Sequence, residues 1–316
     1  MTTTTPRTVP LGTSGIEVSR LCLGGNVFGW TIDQATSFTV LDAFVAGGGN
    51  FIDTADVYSS WAPGNVGGES ERIIGAWLAD RGRASDVVVA TKVGSTMPEG
   101  SGLAPAYVRE AAERSRERLG VEAIDLLYAH RPDDDTPIAD TLAAFDELVQ
   151  AGTVRAIGLS NYSATQLREA LDAADAHGLT RPVALQPEYN LIERSDFEGE
   201  LQALCVAEGI AVAPYYALAS GFLTGKYRAG YDTPDSPRAE SVLARYGNEE
   251  GWELLDRMDA VAARHNATLA QVALAWLEAQ PSVVAPIASG TSPAHVIELL
   301  RSTTLTLDAN DLGLLR

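Results

Sequence analysis

The sequence predicts a (β/α)8 barrel, on three observations. Short segments rich in Val, Ile and Leu alternate with longer segments whose apolar residues recur at helical spacing. Eight such strand segments recur, at about 40 residues per strand-then-helix unit, with no linker, repeat or break in composition between them. The strand segments are almost continuously apolar, as parallel strands covered on both faces must be. We therefore expect one barrel domain over residues 1–316. An open doubly wound sheet is the alternative that the same alternation allows.

Each element follows from its residues. Pro10 to Val18, with Gly12 and Gly15, reads as a hairpin ahead of the first barrel strand, Ser19 to Gly24. The other strands are expected at Asn50 to Thr54, Asp86 to Lys92, Ile124 to His130, Val154 to Ser160, Val183 to Gln186, Ile210 to Tyr215 and Val283 to Ile287. Helices are expected at Asp33 to Ala46, Glu69 to Arg81, Pro105 to Leu119, Pro137 to Gln150, Ser163 to Ala176, Asp196 to Glu208 and Leu269 to Ala279. In the fourth of these, Leu142, Phe145, Leu148 and Val149 make one apolar face. Asp33, Ser163 and Thr268 stand where N-caps belong, and Gly47, Gly120, Gly152, Gly178 and Gly209 where C-caps belong. Arg228 to Glu250, with Pro234, Pro237 and two glycines, reads as one long irregular stretch.

Composition narrows the function. With 46% apolar and 21% charged residues the chain can bury a core, and its net charge of −19 repels phosphate backbones and anionic lipid. Nucleic-acid and membrane-surface roles are therefore not expected, and an anionic ligand needs locally placed cations. The N-terminal MTTTTPRTVP has no apolar core of a signal peptide, and the longest apolar stretch, Gly209 to Leu223, is too short to span a bilayer. Two cysteines, Cys22 and Cys205, with no CxxC, fit a reducing compartment, so a cytoplasmic location is expected. Nothing in the sequence specifies an oligomeric state. Asp133, Asp134 and Asp135 read as a solvated acidic loop, and no metal is expected.

In a barrel, chemistry sits at the C-terminal ends of the strands. The second strand ends in Asp53, with Tyr58 following in DTADVY; the third ends in Lys92; the fourth ends in His130. Three neighbouring strands thus deliver an acid, an ammonium and an imidazole to one rim, with a phenol beside them. A phenol is a poor acid at neutral pH, and an adjacent ammonium is expected to lower its pKa. Asp53 would hold Lys92 charged and oriented, Tyr58 would be a general acid toward a carbonyl oxygen, and His130 a second donor. Phe28, Trp30 and Trp61 lie in the loops after strands one and two, where, with Tyr58 and His130, they could wall a substrate pocket. A Schiff-base role for Lys92 is a separate possibility, one that needs no nicotinamide.

DTADVY, ATK and LLYAH resemble the aldo-keto reductase superfamily, as do GLSN (158–161), QPEYN (186–190), PYYALASGFLTGKY (214–227) and SGTSPAHVIE (289–298), all in the same order along almost the whole chain. The resemblance implies NAD(P)H-dependent hydride transfer to and from an aldehyde, ketone or sugar, with Asp53, Tyr58, Lys92 and His130 as the catalytic residues. It also implies a nicotinamide cofactor held without a Rossmann module, and no GxGxxG follows a strand here. By similarity, Ser160, Asn161 and Gln186 would bind the carboxamide, whose donor and acceptor suit such side chains, and Tyr215 would stack on the nicotinamide. Gly25, Asn26, Asp53 and Tyr216 would also belong to the cofactor site, and Leu218, Ser220, Gly221, Leu223 and Lys226, within Leu218 to Lys226, would cradle the pyrophosphate. Arg238 would meet a 2′-phosphate, and Ser289, Gly290, Thr291 and His295 the adenosine end. The family often has Ser-Pro after the stacking aromatic; Tyr216 and Ala217 stand here and imply a reshaped mouth. The cations Lys226, Arg238 and His295 favour NADPH, with NADH still possible. Potassium-channel β subunits share this fold, so a nicotinamide-binding regulatory or scaffold protein is the alternative.

Overall fold

In the computed structural model, which describes residues 8–81 and 87–316, eight parallel strands form one closed sheet flanked by helices. A hairpin of β1 (Thr8–Pro10) and β2 (Glu17–Ser19) precedes it. The barrel strands are β3 (Cys22–Gly24), β4 (Phe51–Asp53), β5 (Val88–Val93), β6 (Ile124–Ala129), β7 (Val154–Ser160), β8 (Ala184–Gln186), β9 (Ala211–Val212) and β10 (Ile287–Ala288), and β3 to β9 pair in chain order. The segment before β10 closes the ring: Val283 bridges Val212, and the Val284 amide donates to the Val212 carbonyl at 2.9 Å. Ile287 then pairs with Cys22 of β3. The expected eighth strand is thus divided, its first half bonded to β9 and its second to β3. Met1 to Arg7 and Asp86, where the signal-peptide reading and one strand start fall, lie outside the described residues.

The caps behave as their chemistry requires. Helix α1 (Gln34–Ala46) begins with the Asp33 carboxylate accepting the Thr36 amide, and α5 (Ala164–His177) and α9 (Leu269–Glu278) begin with Ser163 and Thr268 in reciprocal capping boxes. The expected helices α2 (Glu69–Arg81), α3 (Pro105–Leu119), α4 (Ile138–Gln150) and α6 (Glu200–Glu208) are also present. Gly120, Gly178 and Gly209 end α3, α5 and α6 in the left-handed region, whereas Gly47 ends α1 with right-handed backbone.

Four further helices lie beyond the seven expected: α7 (Ala239–Tyr246), α8 (Glu249–His265), α10 (Pro293–Leu300) and α11 (Ala309–Leu314). Helix α7 lies inside the stretch expected to be irregular, because Ala239, Val242 and Tyr246 share one face and are buried.

Two cores result. One lies between sheet and helices; the other fills the barrel, where Phe51, Val88, Leu126, Tyr128 and Ile287 meet Leu11, Ile16 and Val18 of the hairpin. The hairpin therefore plugs one end. A Cβ on Gly12 (φ +55°) would fall 2.4 Å from the Val183 carbonyl, just ahead of β8, so the plug seats at the N-terminal end of the barrel. The C-terminal end is left for chemistry. Just beneath it Tyr128 fills the interior over Gly158, its partner in the β6–β7 register, where an added Cβ would meet the Tyr128 ring at 2.4 Å.

Candidate active site

The strand ends bring Asp53, Lys92, Tyr58 and His130 together at the C-terminal rim. Asp53 ends β4; Lys92 is the penultimate residue of β5; His130 follows β6 and is held in register by its amide, which donates to the Val93 carbonyl at 2.9 Å. Tyr58 lies in the loop after β4, where its amide donates to the Ala55 carbonyl at 3.2 Å.

Lys92 is fully buried, and its ammonium donates to Asp53 Oδ2 (2.8 Å), the Thr54 carbonyl (2.7 Å) and the Tyr58 hydroxyl (2.8 Å), with Asp53 Oδ1 at 2.7 Å. An ammonium has three protons, and all three have acceptors. The Thr54 carbonyl could not be found from residue types, since any side chain at that position supplies it. The same ammonium lies 4.4 Å from the Tyr58 ring centroid. The Tyr58 hydroxyl in turn donates to Asp53 Oδ2 at 3.0 Å.

Electrostatics correct one expectation. Burial, then the Asp53 charge and its hydrogen bond, push the Tyr58 phenol well above its ordinary range, so the nearby ammonium does not lower it as expected. Burial also lowers Lys92, against the opposing pull of Asp53. His130 is pushed down to about 3 by burial and by the cations Lys92 and Arg131. Its ring is therefore neutral at physiological pH and carries one N–H, while Nδ1 is buried with no protein partner among the described residues. The site holds a protonated phenol and a neutral imidazole, with ring centroids 6.2 Å apart.

The residues expected at a carboxamide also converge. Ser160 donates to the Gln186 carbonyl (2.9 Å), the Asn161 amide group donates to the His130 carbonyl (2.9 Å) and to the Ser160 hydroxyl (3.1 Å), and the Tyr215 hydroxyl donates to Asn161 Oδ1 (2.7 Å). Gln186 donates to Asp53 Oδ1 at 2.9 Å. Asn161, Tyr216, Ala219 and Ser220 all have positive φ, unusual for residues other than glycine, and the last two form with Gly221 (φ +97°) a left-handed run beside Lys226. Ser289 donates to Asn26 Oδ1 (2.6 Å), which joins the loops after β3 and β10 near Gly25 and Gly290, and Thr291 lies 3.1 Å from His295 Nδ1 at the start of α10.

The pocket wall differs in part from expectation. Trp30, Trp61 and Tyr58 are in edge contact, with Trp30–Trp61 centroids 5.6 Å and Tyr58–Trp61 centroids 6.0 Å apart, and Trp61 is 48% exposed. Phe28 is instead fully buried in the core, because the loop turns it inward while its carbonyl accepts the Ser59 hydroxyl. Leu223 is likewise fully buried, which leaves only its backbone to face a ligand. Arg238 stacks on Trp30, its guanidinium 4.8 Å from the ring centroid, and has no carboxylate partner among the described residues.

A second polar layer lies behind these groups and was not foreseen. Glu71, fully buried at the start of α2, accepts from Thr91 (2.6 Å) and Arg118 (2.6 Å), and Ser70 links Thr54 to the Gly25 carbonyl through two 2.8 Å hydrogen bonds. Both carboxyl oxygens of nearby Asp56 are buried without a partner among the described residues, and burial, then the Glu71 charge, push it up to about 7. Asp133 closes its own loop, accepting from Leu103, Asp135 and Thr136. Among the described residues no cluster of three or more His, Cys, Asp or Glu could hold a metal, and no helix is long and apolar enough to cross a membrane.

The sequence model of the Aldo/keto reductase family matches residues 20–316. Among similar proteins, a probable voltage-gated potassium channel subunit beta of Arabidopsis thaliana is 35% identical over 303 residues, covering 92% of this chain and 89% of that one. Aldo-keto reductase str7 of Strobilurus tenacellus is 36% identical over 276 residues, 85% of this chain and 76% of its own. Probable aldo-keto reductase 1 of Glycine max is 33% identical over 316 residues, 96% of this chain and 86% of its own. With eight parallel strands closed into a barrel and a family match over nearly its whole length, the chain belongs to the Aldo/keto reductase family.

Proposed function

We propose that this one-domain barrel is an NADP-dependent carbonyl reductase and alcohol dehydrogenase. The observation that carries the reading is the closed triangle of Lys92, Tyr58 and Asp53 beside a neutral His130. The residues present suit a nicotinamide dinucleotide. Ser160, Asn161 and Gln186 offer a carboxamide both donors and acceptors, the left-handed run at 219–221 presents backbone beside Lys226, and Arg238 is a half-buried cation without an acid partner among the described residues, in a chain of net charge −19. Such an arginine favours the 2′-phosphate of NADPH over NADH, with NADH as a weaker ligand. When bound, the reduced cofactor supplies a hydride to the carbonyl carbon.

The chain's own residues manage the proton. His130 donates its single N–H to the substrate oxygen and fixes its position. The Tyr58 hydroxyl, which donates to Asp53 in this structure, turns to the same oxygen and transfers its proton as negative charge develops there. Lys92 stabilises the phenolate left behind, and Asp53 holds Lys92 in place. In the reverse direction the Tyr58 phenolate accepts the alcohol proton, so oxidation strengthens as pH rises. The burial of Lys92 and its three acceptors count against a Schiff-base role. Two free, buried thiols suit a reducing compartment, and we place the protein in the cytoplasm, acting on small carbonyls or alcohols.

Titration with NADPH and with NADH, followed by tryptophan quenching, and turnover on aldehydes, ketones and sugars test the reading. Tyr58→Phe should keep cofactor binding and lose turnover by about a thousandfold or more, and Arg238→Ala should weaken NADPH more than NADH. Turnover that persists in Tyr58→Phe overturns the assigned roles. Similarity to proteins named as potassium channel β subunits favours a second reading, a nicotinamide-binding regulatory protein. Tight binding without turnover on the whole panel would select it.

A further inference from the structure

We infer that Gln186 is a positioning residue for Asp53, and that through it carboxamide recognition is coupled to the proton donor. Strands β4 and β8 stand four places apart in an eight-stranded ring, so Asp53 and Gln186 face each other across the barrel mouth. Their side chains meet there in a fully buried hydrogen bond, Gln186 Nε2 to Asp53 Oδ1 at 2.9 Å.

A carboxylate only accepts, which fixes the amide beside the buried Tyr128: its NH2 points to Asp53, and its carbonyl oxygen is the end able to accept from a donor such as the NH2 of a carboxamide. The backbone of Gln186 is held as well, its carbonyl accepting the Ser160 hydroxyl (2.9 Å) and the Asn161 amide (3.2 Å). Asp53 Oδ1 therefore accepts from Gln186 with the Lys92 ammonium 2.7 Å away, while Oδ2 accepts from Lys92 and Tyr58. Among the described residues, only Gln186 ties this carboxylate to the opposite wall. Without its N–H, the carboxylate is free to turn and its charge falls more heavily on Oδ2, which tightens its hold on the Tyr58 proton. The amide thus eases release of that proton, and it does so from the residue placed to sense the carboxamide.

The inference rests on Tyr58 being the proton donor, and its test separates the two. Gln186→Met keeps the length of the side chain and removes the donor. In cofactor-free protein carrying 13C at the aspartate carboxyl carbons, with the Asp53 signal assigned from Asp53→Asn, the Met variant should move that signal at pH 7. At saturating NADP, alcohol oxidation should lose about tenfold in kcat, and its alkaline limb should rise by about half a pH unit, since a residue that only binds cofactor would change KM alone. Gln186→Glu is the second variant: protonated at low pH, its carboxyl can again donate to Asp53, so its deficit relative to wild type should shrink as pH falls. An unmoved Asp53 signal, or a raised cofactor KM with kcat and the limb unchanged, overturns the inference. If wild type shows no turnover, the functional reading fails, and the Asp53 signal alone decides whether the link exists.

Discussion

The neutrality of His130 can be tested without any substrate. Its pKa lies at about 3 in the fold, against an ordinary 6.5, because the ring is buried beside Lys92 and Arg131. Between those values the unfolded chain binds a proton that the fold refuses, so stability falls as pH drops from about 6.5 toward 3. At pH 5 the imbalance costs the fold about 2 kcal/mol relative to pH 8. For a barrel of this size that is a melting temperature lower by about 3 °C. In His130→Gln this contribution disappears, while the other titrating groups remain and cancel in the comparison. Melting curves of both proteins at pH 8 and pH 5 should show the wild type losing about 3 °C more than the variant. Equal losses would mean that His130 accepts a proton in the fold at pH 5, and the proposed second donor would then be an imidazolium, not a neutral ring.

Two further outcomes follow from groups near the site. Asp56, with its pKa raised to about 7 and no partner for either oxygen among the described residues, favours the fold while protonated and loses that advantage as pH rises through 7. Asp56→Asn should therefore melt higher than wild type at pH 8 and lose its lead as pH falls below 7; an unchanged gap across pH would refute this. Gly158→Ala forces a Cβ to within 2.4 Å of the Tyr128 ring beneath the Asp53–Lys92–Tyr58 cluster, and should cost about 1–3 kcal/mol in denaturant unfolding, with Tyr128→Phe giving little relief because the clash is with ring carbons.

Residue periodicity, caps and strand ends made most of the barrel legible. Seven helices, the N-caps at Asp33, Ser163 and Thr268 and the C-caps at Gly120, Gly178 and Gly209 depend on local geometry, which neighbouring residues set. Helix α7 was hidden because eight residues between prolines and glycines show little periodicity, and its stability comes from burying Ala239, Val242 and Tyr246 against the rest of the chain. The four groups at the rim were legible for a different reason. Parallel strands in a barrel end on one face, so residues at strand ends are neighbours whatever the loops do.

Within the site, residue types at the strand ends say which chemical groups reach the barrel mouth: an acid, an ammonium, a phenol and an imidazole. Their protonation and their partners come from packing. Burial holds Tyr58 protonated and His130 neutral, and no residue type states how deep it will lie. The link from Gln186 to Asp53 spans 133 positions, and it exists because the ring closes and sets opposite strands face to face. Phe28 was read as pocket wall and packs in the core, while Arg238 rests on Trp30, because loop paths are set by packing far along the chain and not by the residues adjacent to them.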